Sequence, residues 1–80
     1  MDQTNQSAAR VSGVPNVTYD LAALFHNELE GLAALATYQQ DAQAAGDQEV
    51  AQFFTQLQQE ERQHVDTLRQ LLATRLQGGG

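Results

Sequence analysis

The chain has 80 residues, a formal net charge of −6 and no cysteine, which together exclude several classes of protein. Without cysteine there is neither a disulfide framework nor a thiolate metal site. Ten acids against four arginines disfavour binding to nucleic acid or to an anionic membrane, because phosphate groups would be repelled. No apolar stretch approaches the roughly 20 residues of a membrane span. We therefore expect a soluble, cytoplasmic protein, and its Ala, Leu and Gln content is typical of helices.

The first predicted helix lies between two polar segments. Residues 1–17 are rich in Gln, Asn, Ser and Thr without sustained periodicity, and they are predicted to form a flexible N-terminal arm. Helix 1 is predicted over about 18–45, with Asn16 or Thr18 as its N-cap. At the other end of the chain, the three glycines of 78–80 are predicted to form a flexible tail.

A single interruption separates this helix from a second one. Gly46 is suited to the left-handed conformation that closes helix 1, and Asp47 is suited to cap helix 2, predicted over about 47–77. The predicted fold is all-α: an antiparallel two-helix hairpin. A domain of this size buries little surface, so we expect oligomerisation, a metal, or both to stabilise it.

Helix 2 carries an apolar stripe with two ionisable residues at its centre. At 100° per residue, His64 falls about 60° from Glu61, and both lie in the apolar sector. The apolar members of that sector are Val50, Phe53, Phe54, Leu57, Val65, Leu68, Leu71 and Leu72. A solvent face of glutamines and an aspartate lies opposite: Gln52, Gln59, Gln63, Asp66 and Gln70.

Helix 1 likewise carries one carboxylate, Glu28, at the centre of an apolar stripe. Its apolar neighbours within about 60° are Leu21, Leu24, Phe25, Leu32 and Leu35. Glu28 lies 18 residues before Gly46 and Glu61 lies 15 residues after it, so their heights in a hairpin should agree within about 5 Å. A second apolar flank of helix 1 is predicted to pack against another copy of the chain: Ala22, Leu29, Ala33 and Ala36.

These three ionisable side chains need a compensating charge, because unpaired buried carboxylates are destabilising. The chain has no lysine, no arginine lies within a turn of Glu28, and Arg62 points about 100° away from Glu61. A divalent cation would balance the charge better. Two chains related by a two-fold axis would offer four Glu and two His, the ligand set of carboxylate-bridged dimetal bundles.

The motif residues resemble those of a known superfamily. Glu28-Leu29-Glu30-Gly31 followed by Glu60-Glu61-Arg62-Gln63-His64 resembles the ferritin-like superfamily, and is closest to encapsulated ferritins and rubrerythrin-type di-iron proteins. The resemblance covers about residues 18–76. It implies that the hairpin dimerises into a ferritin-like four-helix bundle.

The resemblance also implies an activity. The protein would be a ferroxidase whose Glu28, Glu61 and His64 bind iron and act as the catalytic residues of a di-iron site shared by two chains. O2 or peroxide would be the oxidant, and the partners would be a homodimer or a larger even homo-oligomer. Iron storage would require an enclosing shell, such as the encapsulin nanocompartment of the encapsulated ferritins. By the same resemblance, His26 and Glu30 are candidate accessory cation ligands, the alternative being an ordinary surface pair.

Two other functions stay open at this point. The same ligands suit a different dimetal protein, either a peroxidase-like relative or a manganese protein. A metal-free helical hairpin serving as an assembly or partner-binding module is the other alternative. That module would lose nothing if Glu28, Glu61 and His64 were replaced by leucine.

Overall fold

The computed structural model describes residues 13–77 and shows two long antiparallel helices packed against each other. Helix α1 spans Asn16–Ala44 and helix α2 spans Gln48–Gln77. The predicted all-α class and the pairing of two helices are therefore confirmed. Neither of these helices is long and apolar enough to cross a membrane. Most of the predicted arm, residues 1–12, and the predicted tail, residues 78–80, lie outside the described range.

The turn between the helices follows the prediction in detail. Gly46 has a φ of 74°, which places it in the left-handed region that glycine adopts without a steric penalty. Its N–H donates to the carbonyl of Gln43 at 3.0 Å, and the N–H of Asp47 donates to the carbonyl of Ala42 at 2.9 Å. These are the two hydrogen bonds of a Schellman motif. Asp47 then caps α2 by accepting the N–H of Val50 at 3.1 Å.

The start of α1 differs from the prediction. The capping residue is Pro15, and no side chain caps the helix, so the prediction of Asn16 or Thr18 as the cap is wrong. The carbonyl of Pro15 accepts the first helical hydrogen bond, from the N–H of Tyr19, at 3.0 Å. The Pro15 backbone, with φ −57° and ψ 150°, leads directly into the first turn. Asn16 already lies inside the helix, where its Oδ1 is buried without a hydrogen-bond partner.

The interface between the helices is narrow. The buried apolar residues among those described are Ala42, Ala51 and Leu68. The hairpin is 14 Å across its thinnest dimension, about the width of one helix with its side chains. The predicted stripe of α2 is therefore wider than the single helix that covers it. Phe53, whose place in the apolar sector predicts a core position, is instead 55% exposed, so that prediction is wrong for the hairpin.

One glutamine takes a core position that the sequence did not reveal. Gln58 is buried, and its Nε2 donates to Oε1 of Gln39 at 2.9 Å and to the carbonyl of Leu35 at 3.4 Å. Gln58 therefore links the two helices through hydrogen bonds close to the turn of α2 that carries Glu61. The glutamines assigned to the solvent face are exposed, so Gln58 departs from the pattern of its neighbours.

Candidate metal centre

The hairpin brings Glu28, Glu61 and His64 together. Glu28 extends from the middle of α1, while Glu61 and His64 lie three residues apart on α2, so their side chains leave the same face of that helix. One ligand atom of each residue lies within 4.8 Å of those of the other two. Counting residues from the Gly46 turn predicted this meeting, because equal heights in a hairpin require similar distances from the turn.

The separation of these atoms is wider than that of ligands already bound to one ion. Oxygen and nitrogen donors bind divalent ions at roughly 2.0–2.2 Å, so donors at right or tetrahedral angles around one ion lie roughly 3–3.6 Å apart. The three atoms of this cluster lie within 4.8 Å of one another, so the side chains would have to move inward to hold one ion. Two carboxylates and one imidazole are also oxygen and nitrogen donors that iron and manganese accept.

His64 and Glu61 are held in relation to each other by a direct contact. Nδ1 of His64 lies 3.0 Å from Oε1 of Glu61, and with a proton on Nδ1 the imidazole donates to the carboxylate. The His64 side chain is 67% exposed and that of Glu61 is 26% exposed. A pair this open to solvent adds little to stability. The contact orients the two side chains, and it leaves His64 accessible from outside the hairpin.

The two carboxyl groups of the cluster shift each other's pKa in opposite directions. A proton shared with Glu61 raises the pKa of Glu28, and desolvation and the Glu61 charge raise it further, against an opposing effect of His64. The same shared proton lowers the pKa of Glu61; desolvation opposes this, and the hydrogen bond and charge of His64 reinforce it. Oε1 of Glu28 is buried and has no hydrogen-bond partner. The cluster therefore contains a buried carboxylate oxygen to which no group of the hairpin donates a hydrogen bond.

The cluster opens on one side of the hairpin, into a groove between the helices. His64 lines two adjoining cavities there. One, of about 400 Å³, also contains Gly31, Tyr38, Leu57, Glu60 and Glu61 in its wall. The other, of about 250 Å³, is lined by Leu24, Glu28, His64, Thr67 and Leu68. The centre is thus accessible from this groove, whose walls are otherwise mostly apolar.

The surface around this groove is the feature that sequence reasoning missed. We call it the open face and define it by two rows of residues, each with a spacing of seven. The row of α1 is Val17, Leu24, Gly31 and Tyr38, and the row of α2 is Val50, Leu57, His64 and Leu71. A seven-residue spacing of apolar positions is the signature of helices that pack side by side, and it could have been found in the sequence.

The other predicted residues lie away from the centre. His26 and Glu30 are exposed and, within residues 13–77, form no group of three acidic or histidine side chains with a third member. Tyr38 packs its ring against Phe54 with centroids 5.8 Å apart. We call the flank of α1 that was expected to meet a second copy the outer flank (Ala22, Leu29, Ala33 and Ala36). It lies on the other side of α1 from the open face.

Comparisons with known proteins do not name a relative. No family model matches the chain, and searches of curated proteins and of solved structures give no match. A function for this chain must therefore be argued from the chemistry of the cluster. The resemblance to ferritin-like proteins extends only to the motif residues named above.

Proposed function

We propose that this protein binds Fe(II) and oxidises it, as a ferroxidase of the ferritin-like class, at a di-iron site shared between two chains. The observation that carries the proposal is the cluster of Glu28, Glu61 and His64 within 4.8 Å, with a buried carboxylate oxygen that lacks a partner. One chain offers two carboxylates, which offset the charge of one divalent ion. Two chains offer four carboxylates and two imidazoles, which suit two ions.

The residues of the chain have distinct tasks in this reaction. Fe(II) is the substrate, and the carboxylates of Glu28 and Glu61 bind it after the proton they share has left. His64 supplies a nitrogen donor. Two Fe(II) ions give one electron each to O2, which takes up two protons and leaves as H2O2. The carboxylate oxygens then stabilise the Fe(III) product, because hard oxygen donors favour the more highly charged ion.

Exposed apolar side chains favour the shared site over a site within one chain. The hairpin is one helix layer thick, and its centre opens on a groove whose rim includes exposed Leu24, Tyr38 and Val50. A second hairpin on this groove would bury those side chains and bring a second set of ligands to the centre. The four-helix bundle that results is the architecture in which such ligand sets are found.

The test is the rate of O2-dependent Fe(II) oxidation, followed by the absorbance of Fe(III). Glu61→Ala and His64→Ala should each reduce the rate to that of Fe(II) in buffer. Glu49→Ala is the matched control, because it removes an exposed carboxylate that lies twelve residues before Glu61 on α2. We expect it to leave the rate unchanged. Unchanged rates in both cluster variants, or an equal loss in the control, would contradict the proposal.

A metal-free assembly module is the second candidate, and the exposed apolar residues of the open face favour it too. It differs from the ferroxidase in one respect that is easily measured. The module would bind no Fe(II) or Mn(II), and its stability would not depend on either ion. A manganese protein would bind Mn(II) in preference to Fe(II), which the metal content of protein loaded with an equal mixture of both would reveal.

A further inference from the structure

A third cavity lies at the turn end of the hairpin, and none of Glu28, Glu61 and His64 lines it. Its volume is about 340 Å³, and its wall consists of two aromatic residues, two aspartates, two alanines and one valine. Pockets for small organic ligands measure roughly 300–1,000 Å³ and combine mostly apolar walls with a few polar groups. The cavity therefore has the size and the composition of a small-molecule site.

The charged side chains of this cavity, Asp41 and Asp47, are both acidic, and both are exposed. Helix α1 contains neither lysine nor arginine. The nearest arginine of α2 is Arg62, which lies twelve residues after Val50 of the cavity wall, a distance of about 18 Å along the helix. Along the two described helices, no arginine is therefore close enough to neutralise the two carboxylates.

The backbone at this end of the hairpin adds to the negative charge. Helix α1 ends at Ala44 and has no basic residue in its last turn, so no side chain there offsets the negative end of its dipole. The positive end of α2 is already met by Glu49 in its first turn and by Asp47, whose Oδ1 accepts the N–H of Val50. A carboxylate accepts more than one hydrogen bond, so Asp47 can cap α2 and still bind a further donor.

Two aromatic rings form the apolar part of the wall. The rings of Tyr38 and Phe54 have centroids 5.8 Å apart and are tilted by 52°. The face of an aromatic ring attracts a cationic group that lies within about 6 Å of its centroid, and its carbon atoms bury an alkyl chain. A hard metal ion gains nothing from such a wall, because it requires oxygen donors on several sides. A cation with an apolar body would use both the carboxylates and the rings.

We propose that this cavity binds a small organic cation, namely an ammonium or guanidinium group attached to an apolar chain or ring. The cationic group is bound by Asp41 and Asp47, and the apolar part contacts Tyr38 and Phe54. Tyr38 belongs to the open face, but the two aspartates are exposed at the turn. The cavity therefore stays accessible from the end of the hairpin when another molecule covers the open face. No residue of the metal centre takes part, so this binding is independent of iron oxidation.

Tyr38 itself reports the binding. The chain has two tyrosines and no tryptophan, so in the variant Tyr19→Phe the tyrosine emission comes from Tyr38 alone. The probes are hexylammonium, hexanol and hexanoate at neutral pH, which share one alkyl chain and differ in charge. We expect hexylammonium to change the emission saturably, with a dissociation constant about tenfold or more below that of hexanol, because hydrogen bonds between charged groups contribute that much. Hexanoate should give no saturable change.

Two variants in the Tyr19→Phe background locate the site. Asp41→Asn and Asp47→Asn each remove one charge and keep the size of the side chain, and asparagine at position 47 still caps α2. Each should weaken the binding of hexylammonium by about tenfold and leave that of hexanol unchanged. Glu49→Gln is the matched control, because Glu49 is an exposed acid of the same turn that does not line the cavity. It should leave both affinities unchanged.

Three results would overturn the proposal. The first is a lack of any saturable response to hexylammonium while circular dichroism shows intact helices. The second is equal affinity for hexylammonium and hexanol, which would make the cavity an apolar pocket without preference for a cation. The third is an equal loss of affinity in Glu49→Gln and in the two aspartate variants, which would mean that the net charge of the chain attracts the probe.

Discussion

The open face and the outer flank of α1 expose similar apolar side chains, but only the open face adjoins the Glu28–Glu61–His64 cluster. Leu24 on the open face is 46% exposed, and Leu29 on the outer flank is 42% exposed. Leu24 belongs to a row centred on Glu28 and lines a cavity with Glu28 and His64. Leu29 lies among the alanines of the outer flank and lines neither of the two cavities that contain members of the cluster. Exposed apolar area alone therefore does not distinguish the two sides of α1, whereas their position relative to the Glu28–Glu61–His64 cluster does.

The largest difference between the two sides should appear when a charge is introduced on each. Leu24→Asp would place an unpaired carboxylate in the proposed interface, which costs several kcal/mol. Since each 1.4 kcal/mol is tenfold in affinity, we expect the dimer dissociation constant to rise by about 100-fold or more. Sedimentation velocity over a range of concentrations measures it.

Leu29→Asp is the control for this change, because the two leucines are almost equally exposed and lie on the same helix. Its dissociation constant should match that of the unmodified chain. Dissociation caused by Leu29→Asp but not by Leu24→Asp would place the interface on the outer flank, where the sequence alone suggested it.

Metal binding should stabilise the unmodified chain against unfolding, and it should not stabilise a variant that lacks one of the cluster's ligands. An ion present at 100 times its dissociation constant adds about 2.7 kcal/mol to the free energy of unfolding. The thermal midpoint, Tm, of the unmodified chain should therefore rise with Mn(II), whereas that of Glu28→Leu should not. Without metal, Glu28→Leu should have the higher Tm of the two, because it removes a buried oxygen that has no partner. Equal responses of both chains to Mn(II) would contradict a role of Glu28 in binding.

A smaller effect should follow from the proton shared by Glu28 and Glu61. The raised pKa of Glu28 means that the metal-free centre keeps this proton above the range of an ordinary carboxyl. An ion must displace it, so metal affinity should fall as the pH is lowered through that pKa, by up to tenfold per pH unit for one proton released. Calorimetric titration with Mn(II) in buffers of different ionisation enthalpy counts the protons. Glu28→Gln should abolish this release; a release that persists in the variant would assign the proton elsewhere.

The smallest expected effect on stability concerns the hydrogen bonds of Gln58 between the two helices. Gln58→Ala removes the hydrogen bonds from Nε2 to Gln39 and to the Leu35 carbonyl. We expect a loss of about 1 kcal/mol in the free energy of unfolding, measured by urea denaturation. Gln59→Ala, on the exposed side of the same helix, should change it by less than about 0.5 kcal/mol. Equal effects would mean that the buried hydrogen bonds do not stabilise the hairpin.

The sequence predicted the hairpin and the meeting of its ionisable residues because both follow from simple counting. Gly46 and Asp47 are typical residues of a helix-ending turn and of a helix N-cap, so the position of the turn is clear from the sequence. Because Glu28 and Glu61 lie at similar distances from that turn, they come side by side. Periodicity could not tell which half of a wide apolar stripe faces the other helix. Phe53 and Gln58 lie at opposite edges of the α2 stripe, about 140° apart, and the hairpin buries the polar residue and exposes the apolar one.

The reason for this reversal lies in the size of neighbouring residues. Ala42 and Ala51 are buried near the turn, and small side chains let the two helices approach closely on that side. The long side chain of Gln58 then reaches Gln39 and the carbonyl of Leu35 within hydrogen-bonding distance. The bulky Phe53 remains exposed at the other edge of the stripe. Packing between the two helices decides such positions, and the periodicity of a single sequence does not record that packing.

Native mass spectrometry, first of the metal-free chain and then of the chain loaded anaerobically with Fe(II), is the most direct test of an iron site shared between two chains. We expect an even oligomer that gains one iron per chain, and no iron uptake by Glu61→Ala under the same conditions. A chain that takes up no iron in any oligomeric state would contradict it, as would a monomer that binds iron by itself and keeps it in Glu61→Ala.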